Sequence, residues 1–324
     1  MIPMRFVFRA DASREIGAGH VMRASVLAEE AISRGFECFF IGKISDLDWV
    51  EKRILNLGFA GVLASDDSFI ADSNSDVLVL DSYTIPVSDP FITTRDWKIV
   101  MCVRDKISPY YESDIELRPG LDKVHSEQKG PPTLTGADHI LIRKGISKSK
   151  KLRPSGDVIK VLVVGGGSDP FGFVTAIAEI LGLMDLDLEV HAFTNGAINE
   201  NSKVRFVRHP IGSELDLIAN EVDVVFTTAS TSSLEFIARE IPMGVVCAID
   251  NQADYYEQLG RLGYASQLGV HNSDAGWEFD LTTIKELLES HAKRESLKTS
   301  IRALIDLKGA ARVIDTLVSL AQAL

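Results

Sequence analysis

The stretch Phe6-Val-Phe-Arg-Ala-Asp11 is a short apolar run, followed five residues later by Gly17-Ala-Gly-His20 and then by a segment of helical period. The second half of the chain repeats this order, beginning at Val161-Leu-Val-Val-Gly-Gly-Gly-Ser-Asp169. A strand, a glycine turn and a helix in this order are typical of a parallel sheet covered by helices. We therefore predict an α/β protein built of two Rossmann-like domains that face each other across a cleft.

Apolar runs rich in Val, Ile and Phe continue the pattern along both halves. The predicted strands are residues 5–9, 37–41, 77–80, 98–103 and 139–142, and then 160–164, 188–193, 204–207, 222–226 and 243–246. A helix is predicted over residues 20–34. After residue 281, apolar residues at helical spacing, including Ile301, Leu304, Ile305 and Leu307, predict two final helices. The last of these is expected to pack back on the first domain.

The segment 144–157 separates the two halves. It is basic and polar and contains Gly and Pro, a composition typical of a linker between domains. We predict an N-terminal domain over residues 1–147 and a C-terminal domain over residues 157–324.

The composition excludes several classes of function. The chain has 324 residues and a formal charge of −12, which opposes binding to nucleic acid. Its apolar runs are far shorter than the roughly 20 residues that a membrane span needs, and no secretory signal is recognised near the N-terminus. Cys38, Cys102 and Cys247 occur singly and are interpreted as reduced core thiols. We expect a cytoplasmic protein, compatible with a monomer, although the sequence leaves the oligomeric state open.

Two common nucleotide motifs are absent. Met22 stands where a dinucleotide-binding turn has its third glycine, and no phosphate-binding loop ending in Gly-Lys-Ser or Gly-Lys-Thr occurs. The acidic pairs Asp46/Asp48 and Asp185/Asp187 lie among turn or surface residues away from strand ends. We therefore expect neither a nicotinamide cofactor nor a metal ion.

His20 is the first candidate catalytic residue. It is predicted in the first turn of a helix, at the carboxyl end of the first strand, where ligands bind in open α/β sheets. A helix N-terminus disfavours the protonated imidazole, which leaves a ring able to accept a proton. The alternative is a histidine that caps or packs.

A second candidate is the hydroxyl-rich segment Thr227–Glu235, which precedes a predicted helix. Its exposed N–H groups would bind a diphosphate, and Glu235 would bind ribose hydroxyls. As an alternative, Ser232 and Glu235 form a capping box for their own helix.

Other polar residues follow apolar runs. Asn251 and Gln252 are candidates for bonding sugar hydroxyls or amides, unless Asn251 only forms a turn. Asp81 and Tyr83 are expected at the mouth of the cleft, although an aspartate at a strand end is often only a turn former.

These motifs together resemble a known family. The segment from Arg9 to Ala28, with its Gly17-Ala-Gly-His-Val-Met-Arg23 centre, is similar to the N-terminal signature of the UDP-2,4-diacetamido-2,4,6-trideoxy-beta-L-altropyranose hydrolases of pseudaminic acid biosynthesis and their spore-coat polysaccharide relatives. Similar blocks follow at Asp81-Ser-Tyr83, Leu141-Ile-Arg143, Gly165-Gly-Gly-Ser-Asp-Pro170, Ser230-Thr-Ser-Ser-Leu-Glu235, Asn251-Gln252 and Lys308-Gly-Ala310. The second half also resembles the nucleotide domain of the peptidoglycan N-acetylglucosaminyltransferase.

The resemblance implies the glycosyltransferase-B fold and a hydrolase that releases UDP from a UDP-linked deoxy-acetamido sugar. It implies that His20 assists the attack of water on the anomeric carbon, and that backbone near Glu214 and Leu215 meets the uracil. The expected substrate-binding residues are Gly17, Gly19, Arg23, Asp81, Tyr83, Arg143, Gly166, Gly167, Leu215, Ser230, Thr231, Ser232, Glu235, Asn251 and Gln252.

One departure concerns the sugar. The family carries an acidic pair and later an Asp-x-Asn ending where this chain has Arg104-Asp105-Lys106 and Leu117-Arg-Pro-Gly120. These segments belong to the predicted sugar-binding domain, so the departure bears on the sugar and not on the nucleotide. Two alternatives stay open: a glycosyltransferase on the same scaffold, and a protein that binds UDP-sugars without turnover.

Overall fold

The computed structural model describes residues 4–64, 69–93, 97–105, 108–122, 130–149, 158–167, 169–198, 204–211 and 215–324. The chain divides into two compact units. Unit 1 comprises Met1–Lys144 together with Ile305–Leu324, and unit 2 comprises Gly145–Leu304.

Unit 1 contains a seven-stranded parallel sheet of order β3-β2-β1-β4-β5-β6-β7. Its strands are β1 Arg5–Ala10, β2 Glu37–Ile41, β3 Gly61–Leu63, β4 Asp76–Asp81, β5 Ile99–Val103, β6 Ile115–Leu117 and β7 Thr133–Leu134. Its helices are α1 Gly19–Ser33, α2 Asp48–Asn56, α3 Pro90–Thr93 and, from the end of the chain, α10 Gly309–Ala323.

Unit 2 contains a second seven-stranded sheet of order β10-β9-β8-β11-β12-β13-β14, parallel except for the last pair. The strands are β8 Ile159–Val164, β9 Leu188–Phe193, β10 Val204–His209, β11 Val224–Thr228, β12 Met243–Cys247, β13 Ser266–Asn272 and β14 Gly276–Phe279. The helices are α4 Phe173–Gly182, α5 Leu215–Ala219, α6 Thr231–Ala238, α7 Ala253–Arg261, α8 Leu281–Glu289 and α9 His291–Ser300.

Both faces of the unit 1 sheet are buried. Phe6 and Phe8 of β1 pack in a cluster with α1, while Val7 between them belongs to a cluster on the other face. Helix α10 adds Val313 and Leu317 to the α1 side. A Cβ on Gly309, the first residue of α10, would lie 2.1 Å from the carbonyl oxygen of Ile140, so only glycine permits this approach. The last helix is therefore part of the first core.

Two element predictions are wrong. Residues 139–142 form no strand: a 3₁₀ turn, Ala137–His139, is followed by irregular chain that buries Ile140 and Ile142. Three helices, not two, follow residue 281, because the side chains of Asp280 and Ser290 each cap a new helix start. Residues 301–307, which were assigned helical spacing, form the turn between α9 and α10, with Ala303 and Leu307 at positive φ.

The described helices include none that is long and apolar enough to cross a bilayer.

Candidate active site

His20 and Asp81 meet at the carboxyl edge of the unit 1 sheet. Strands β1 and β4 are neighbours, with Ala10 opposite Asp81, so the helix that follows β1 begins beside the end of β4. His20 is the second residue of α1, and its Nδ1 lies 2.5 Å from Oδ1 of Asp81. Both side chains are almost completely buried. The structure thus brings two of the predicted residues into direct contact.

The charge of Asp81 decides which imidazole nitrogen carries the proton. Burial alone would raise the pKa of this carboxyl, but the Arg23 guanidinium and His20 outweigh it, and the pKa lies below its ordinary value. An ionised carboxylate only accepts hydrogen bonds. Nδ1 of His20 therefore donates to Asp81, so that in the neutral ring Nε2 is the acceptor nitrogen.

Arg23 completes the group one turn further along α1. Its Nε lies 2.7 Å from Oδ2 of Asp81, and its Nη2 lies 2.8 Å from Oδ1. Nη2 also lies 3.0 Å from Nδ1 of His20, but both of these nitrogens carry protons, so the carboxylate accepts from each of them. Although burial opposes the charged form, Asp81 raises the pKa of Arg23. Arg23 therefore fixes the Asp81 carboxylate with a bidentate pair of hydrogen bonds.

Tyr83 packs against the imidazole. The two rings meet edge to face, with centroids 4.2 Å apart and an interplanar angle of 87°. The Tyr83 hydroxyl donates to Oδ2 of Asp105, and burial together with this bond raises the pKa of the phenol. Asp105 was noted in the sequence only as part of a departure from the family. Its contact depends on adjacent strands, β4 and β5, and no sequence motif signals it.

Of the remaining unit 1 predictions, Gly17 and Gly19 are close to His20 in the chain and Arg143 is not. Gly17 has φ +77° in the turn before α1, where its N–H donates to the carbonyl of Ser13. Gly19 is the first residue of α1. Arg143 lies in irregular, half-buried chain after the 3₁₀ turn, not at the end of the predicted strand. A substrate contact of these residues stays a prediction.

In unit 2, helix α6 begins at the hydroxyl-rich segment. Ser230 is the N-cap residue, and Thr231 and Ser232 are the first two helical residues. No described side chain caps this helix: Oγ of Ser230 accepts from Oγ1 of Thr228 over 3.0 Å. The capping-box interpretation is wrong, because Ser232 lies inside the helix and Glu235 is its fifth residue, not its third. The α6 N-terminus keeps the geometry of an anion site.

The helix that follows the glycine loop after β8 differs from α6, because a side chain binds its first N–H groups. Oδ1 of Asp169 accepts from the N–H of Phe173 over 2.9 Å, and Oδ2 accepts from the N–H of Val174 over 3.1 Å. Burial raises the pKa of Asp169 in spite of these bonds. A carboxylate thus occupies the start of α4. Gly166 and Gly167 lie in the turn before it, and any substrate contact they make uses their own backbone.

The other predicted binding residues of unit 2 lie at the start of α5 and after β12. Leu215 is the first residue of α5, and Glu214 lies outside the described residues. Asn251 and Gln252 form a 3₁₀ turn after β12. The side-chain carbonyl of Gln252 accepts from the N–H of Ala248 over 3.0 Å, and a substrate contact of Asn251 or Gln252 stays a prediction.

Comparison with known sequences gives one curated relative at low identity. No family model matches the chain. The UDP-2,4-diacetamido-2,4,6-trideoxy-beta-L-altropyranose hydrolase of Campylobacter jejuni subsp. jejuni is 22% identical over 272 residues, which cover 81% of this chain and 98% of that protein. The resemblance inferred from the motifs is confirmed at this level of identity.

Two solved structures align over nearly the whole chain. MurG of Acinetobacter baumannii has a TM-score of 0.65 at 11% identity and covers 98% of this chain and 100% of its own. A putative UDP-N-acetylglucosamine 2-epimerase of Listeria monocytogenes has a TM-score of 0.60 at 14% identity, with 99% and 98% covered. Together with the two sheets, these likenesses confirm the predicted α/β class and the glycosyltransferase-B fold.

Proposed function

We propose that this protein is a nucleotide-sugar hydrolase that cleaves the anomeric C–O bond of a UDP-linked deoxy-acetamido sugar, in the biosynthesis of a surface glycan such as a nonulosonic acid. The observation that carries the proposal is the hydrogen bond from His20 Nδ1 to the ionised Asp81, which presents Nε2 as a base. The Campylobacter jejuni hydrolase, similar over most of the chain, supports the reaction class.

Unit 1 supplies the base. Nε2 of His20 accepts a proton from water as the water oxygen bonds to the anomeric carbon. The bond from that carbon to the phosphate oxygen breaks, and its electron pair leaves with UDP. Asp81 stabilises the imidazolium that forms and fixes the ring orientation, and the Tyr83 ring restricts rotation from the side. In this scheme Nε2 of His20 is the general base.

Unit 2 binds the nucleotide. The N–H groups of Thr231 and Ser232 at the uncapped start of α6 donate to the diphosphate, and the helix dipole favours the negative charge that develops on UDP. Glu235, one turn further, binds the ribose hydroxyls. No step in this scheme uses a metal ion.

Product analysis with a panel of UDP-linked deoxy-acetamido sugars tests the proposal. Purified protein with substrate and water alone is expected to release UDP and the free sugar. Release that begins only after an acceptor alcohol is added would indicate a glycosyltransferase, whose fold this chain shares with MurG. Binding without any turnover would indicate a UDP-sugar binding protein.

A further inference from the structure

Two arginines end neighbouring strands at the same edge as His20. Strands β5 and β6 are parallel, with Val103 opposite Leu117, so Arg104 and Arg118 follow the two strands side by side. Their backbones continue the ladder: the N–H of Arg104 donates to Leu117 over 2.8 Å, and that of Arg118 donates to Leu134 over 2.9 Å. The backbone therefore holds both residues in place.

The two side chains share one carboxylate. Nη1 of Arg104 donates to Oε1 of Glu116 over 2.7 Å. Nε and Nη2 of Arg118 donate to Oε2 over 3.1 Å and 3.0 Å. The Glu116 side chain is 2% exposed, so its charge requires such partners. Among the residues that the structure describes, Glu116 is the one carboxylate that either guanidinium group contacts, and it balances only one of the two positive charges.

Both guanidinium groups remain within reach of a ligand. The side chains of Arg104 and Arg118 are 27% and 38% exposed, and Arg104 is held over the Tyr110 ring at 4.8 Å. Each guanidinium has five N–H donors, of which Glu116 takes one from Arg104 and two from Arg118. Two fixed forks with spare donors are suited to a planar anion.

The pair lies close to the catalytic group along the sheet. Strands β4 and β6 are separated only by β5, a distance of about 10 Å at the usual strand spacing. Asp105 directly follows Arg104 in the chain, and its carboxylate accepts from the hydroxyls of Tyr83 and Ser108. The Asp105 carboxylate is thus bound by Tyr83, whose ring packs on His20.

We propose that Arg104 and Arg118 bind a carboxylate carried by the sugar, so that the preferred substrate is a UDP-linked acidic sugar. This inference rests on the proposed function and specifies its substrate class. The same donors would suit a phosphate, and the diphosphate of UDP is the competing source of an anion. The test therefore compares UDP with two UDP-sugars that differ in one carboxylate.

Binding of UDP, UDP-N-acetylglucosamine and UDP-N-acetylglucosaminuronic acid is measured by calorimetry at low and high salt. Wild-type protein is expected to prefer the acidic sugar by about tenfold or more, a ratio typical of a hydrogen-bonded charge, with the preference reduced by salt. Arg118→Gln and Arg104→Gln should remove this preference and leave UDP binding unchanged. Arg34→Gln, which alters a partly exposed arginine directly after α1 that pairs with Glu30 and Asp315, is the matched control and should preserve it.

Equal affinity of the wild-type protein for both sugars would overturn the inference, and retained UDP binding would show that the proposed function still stands. Equal loss of affinity for all three ligands in Arg118→Gln would mean that the arginines bind the diphosphate. A lower melting temperature with an intact preference would mean that they only neutralise Glu116. Failure of the wild-type protein to bind any of the three ligands would instead contradict the proposed function.

Discussion

Asp81, the last residue of β4, accepts a hydrogen bond over 2.5 Å from Nδ1 of His20, the second residue of α1. This contact joins the ends of two adjacent structural elements at the edge where parallel sheets bind ligands. Because Arg23 holds the same carboxylate in its charged form, the imidazole has one defined tautomer. The position of the proton on Nδ1 follows from two buried side chains and one that is mostly buried.

Asp81→Asn tests this tautomer directly. The amide is neutral and can present N–H groups to Nδ1, so the ring is no longer held with Nε2 as acceptor. Turnover is expected to fall about 10²-fold or more, the usual size of a general-base contribution, while UDP affinity stays the same. Steady-state kinetics and calorimetry measure the two quantities.

Asp76→Asn is the matched control, because Asp76 is the first residue of the same strand and is buried against Arg5. Asp76→Asn removes the charge that pairs with Arg5, which lowers the stability of the fold. This variant should therefore unfold more easily and keep its turnover per folded molecule. Equal losses of turnover in both variants would assign Asp81 a purely structural role.

His20→Ala and His20→Asn separate chemistry from binding. Both variants lack the acceptor Nε2, and turnover should fall about 10²-fold or more, while UDP, bound by unit 2, retains its affinity. Near wild-type turnover in both variants would make His20 structural, and the base would then be sought at Asp11 or Asp81.

Sequence patterns predicted the strands that are continuous apolar runs, such as β2 and β9, whose bounds agree with the prediction. The seven-residue strand β13 was not predicted, because its apolar residues alternate with polar ones and glycine. Strands β6 and β7 were missed because they have only three and two residues, and pairing with neighbours defines them. The apolar segment 139–142 was assigned to a strand, yet it is buried beneath the start of α10, a tertiary contact that its own period does not reveal.

The candidate site shows the same limit. A motif indicated His20, Asp81 and Arg23 separately, but their mutual contacts depend on the β1–β4 pairing. The hydrogen bonds from Asp169 to the start of α4 were also not predicted. Asp169 lies in the loop before this helix with its own φ positive, and the sequence does not reveal this backbone conformation.

Glu235→Ala tests the nucleotide site. UDP should raise the melting temperature of the wild-type protein by mass action, and this rise should largely disappear in the variant because ribose contacts are lost. Uridine should have little effect, since the diphosphate contacts at α6 are missing, and a chelator should leave the UDP effect intact. Glu179→Ala changes an exposed glutamate of α4 in the same unit and should behave as wild type. A requirement for magnesium would contradict the site described here.

Low pH should lower the free energy of unfolding because Asp81 becomes protonated. Its pKa in the folded state lies below the ordinary value of 3.8, so the ionised form stabilises the fold above that pH, and this contribution is lost as the pH falls through the folded-state pKa. The difference in unfolding free energy between wild type and Asp81→Asn should therefore shrink below about pH 4. Denaturant titrations between neutral pH and pH 3 measure it.

Asp169 should change the pH dependence of the unfolding free energy in the opposite direction to Asp81. Burial raises its pKa in the folded state, so the folded protein takes up this proton more readily than the unfolded chain does. As the pH falls through the raised pKa, wild type should gain stability relative to Asp169→Asn. The same pH dependence in both aspartate variants would contradict the two assigned environments.

Hydrolysis in water enriched in oxygen-18 tests the central claim, that water attacks the anomeric carbon and the C–O bond to UDP breaks. The account predicts that the label enters the hydroxyl on the anomeric carbon of the released sugar, that none enters UDP, and that the sugar first appears with inverted anomeric configuration. Mass spectrometry of both products, with early NMR spectra of the sugar, gives the answer in one reaction. Label in the UDP phosphate would show attack at phosphorus, and a sugar inverted at its second carbon would show epimerisation; either result would contradict the account.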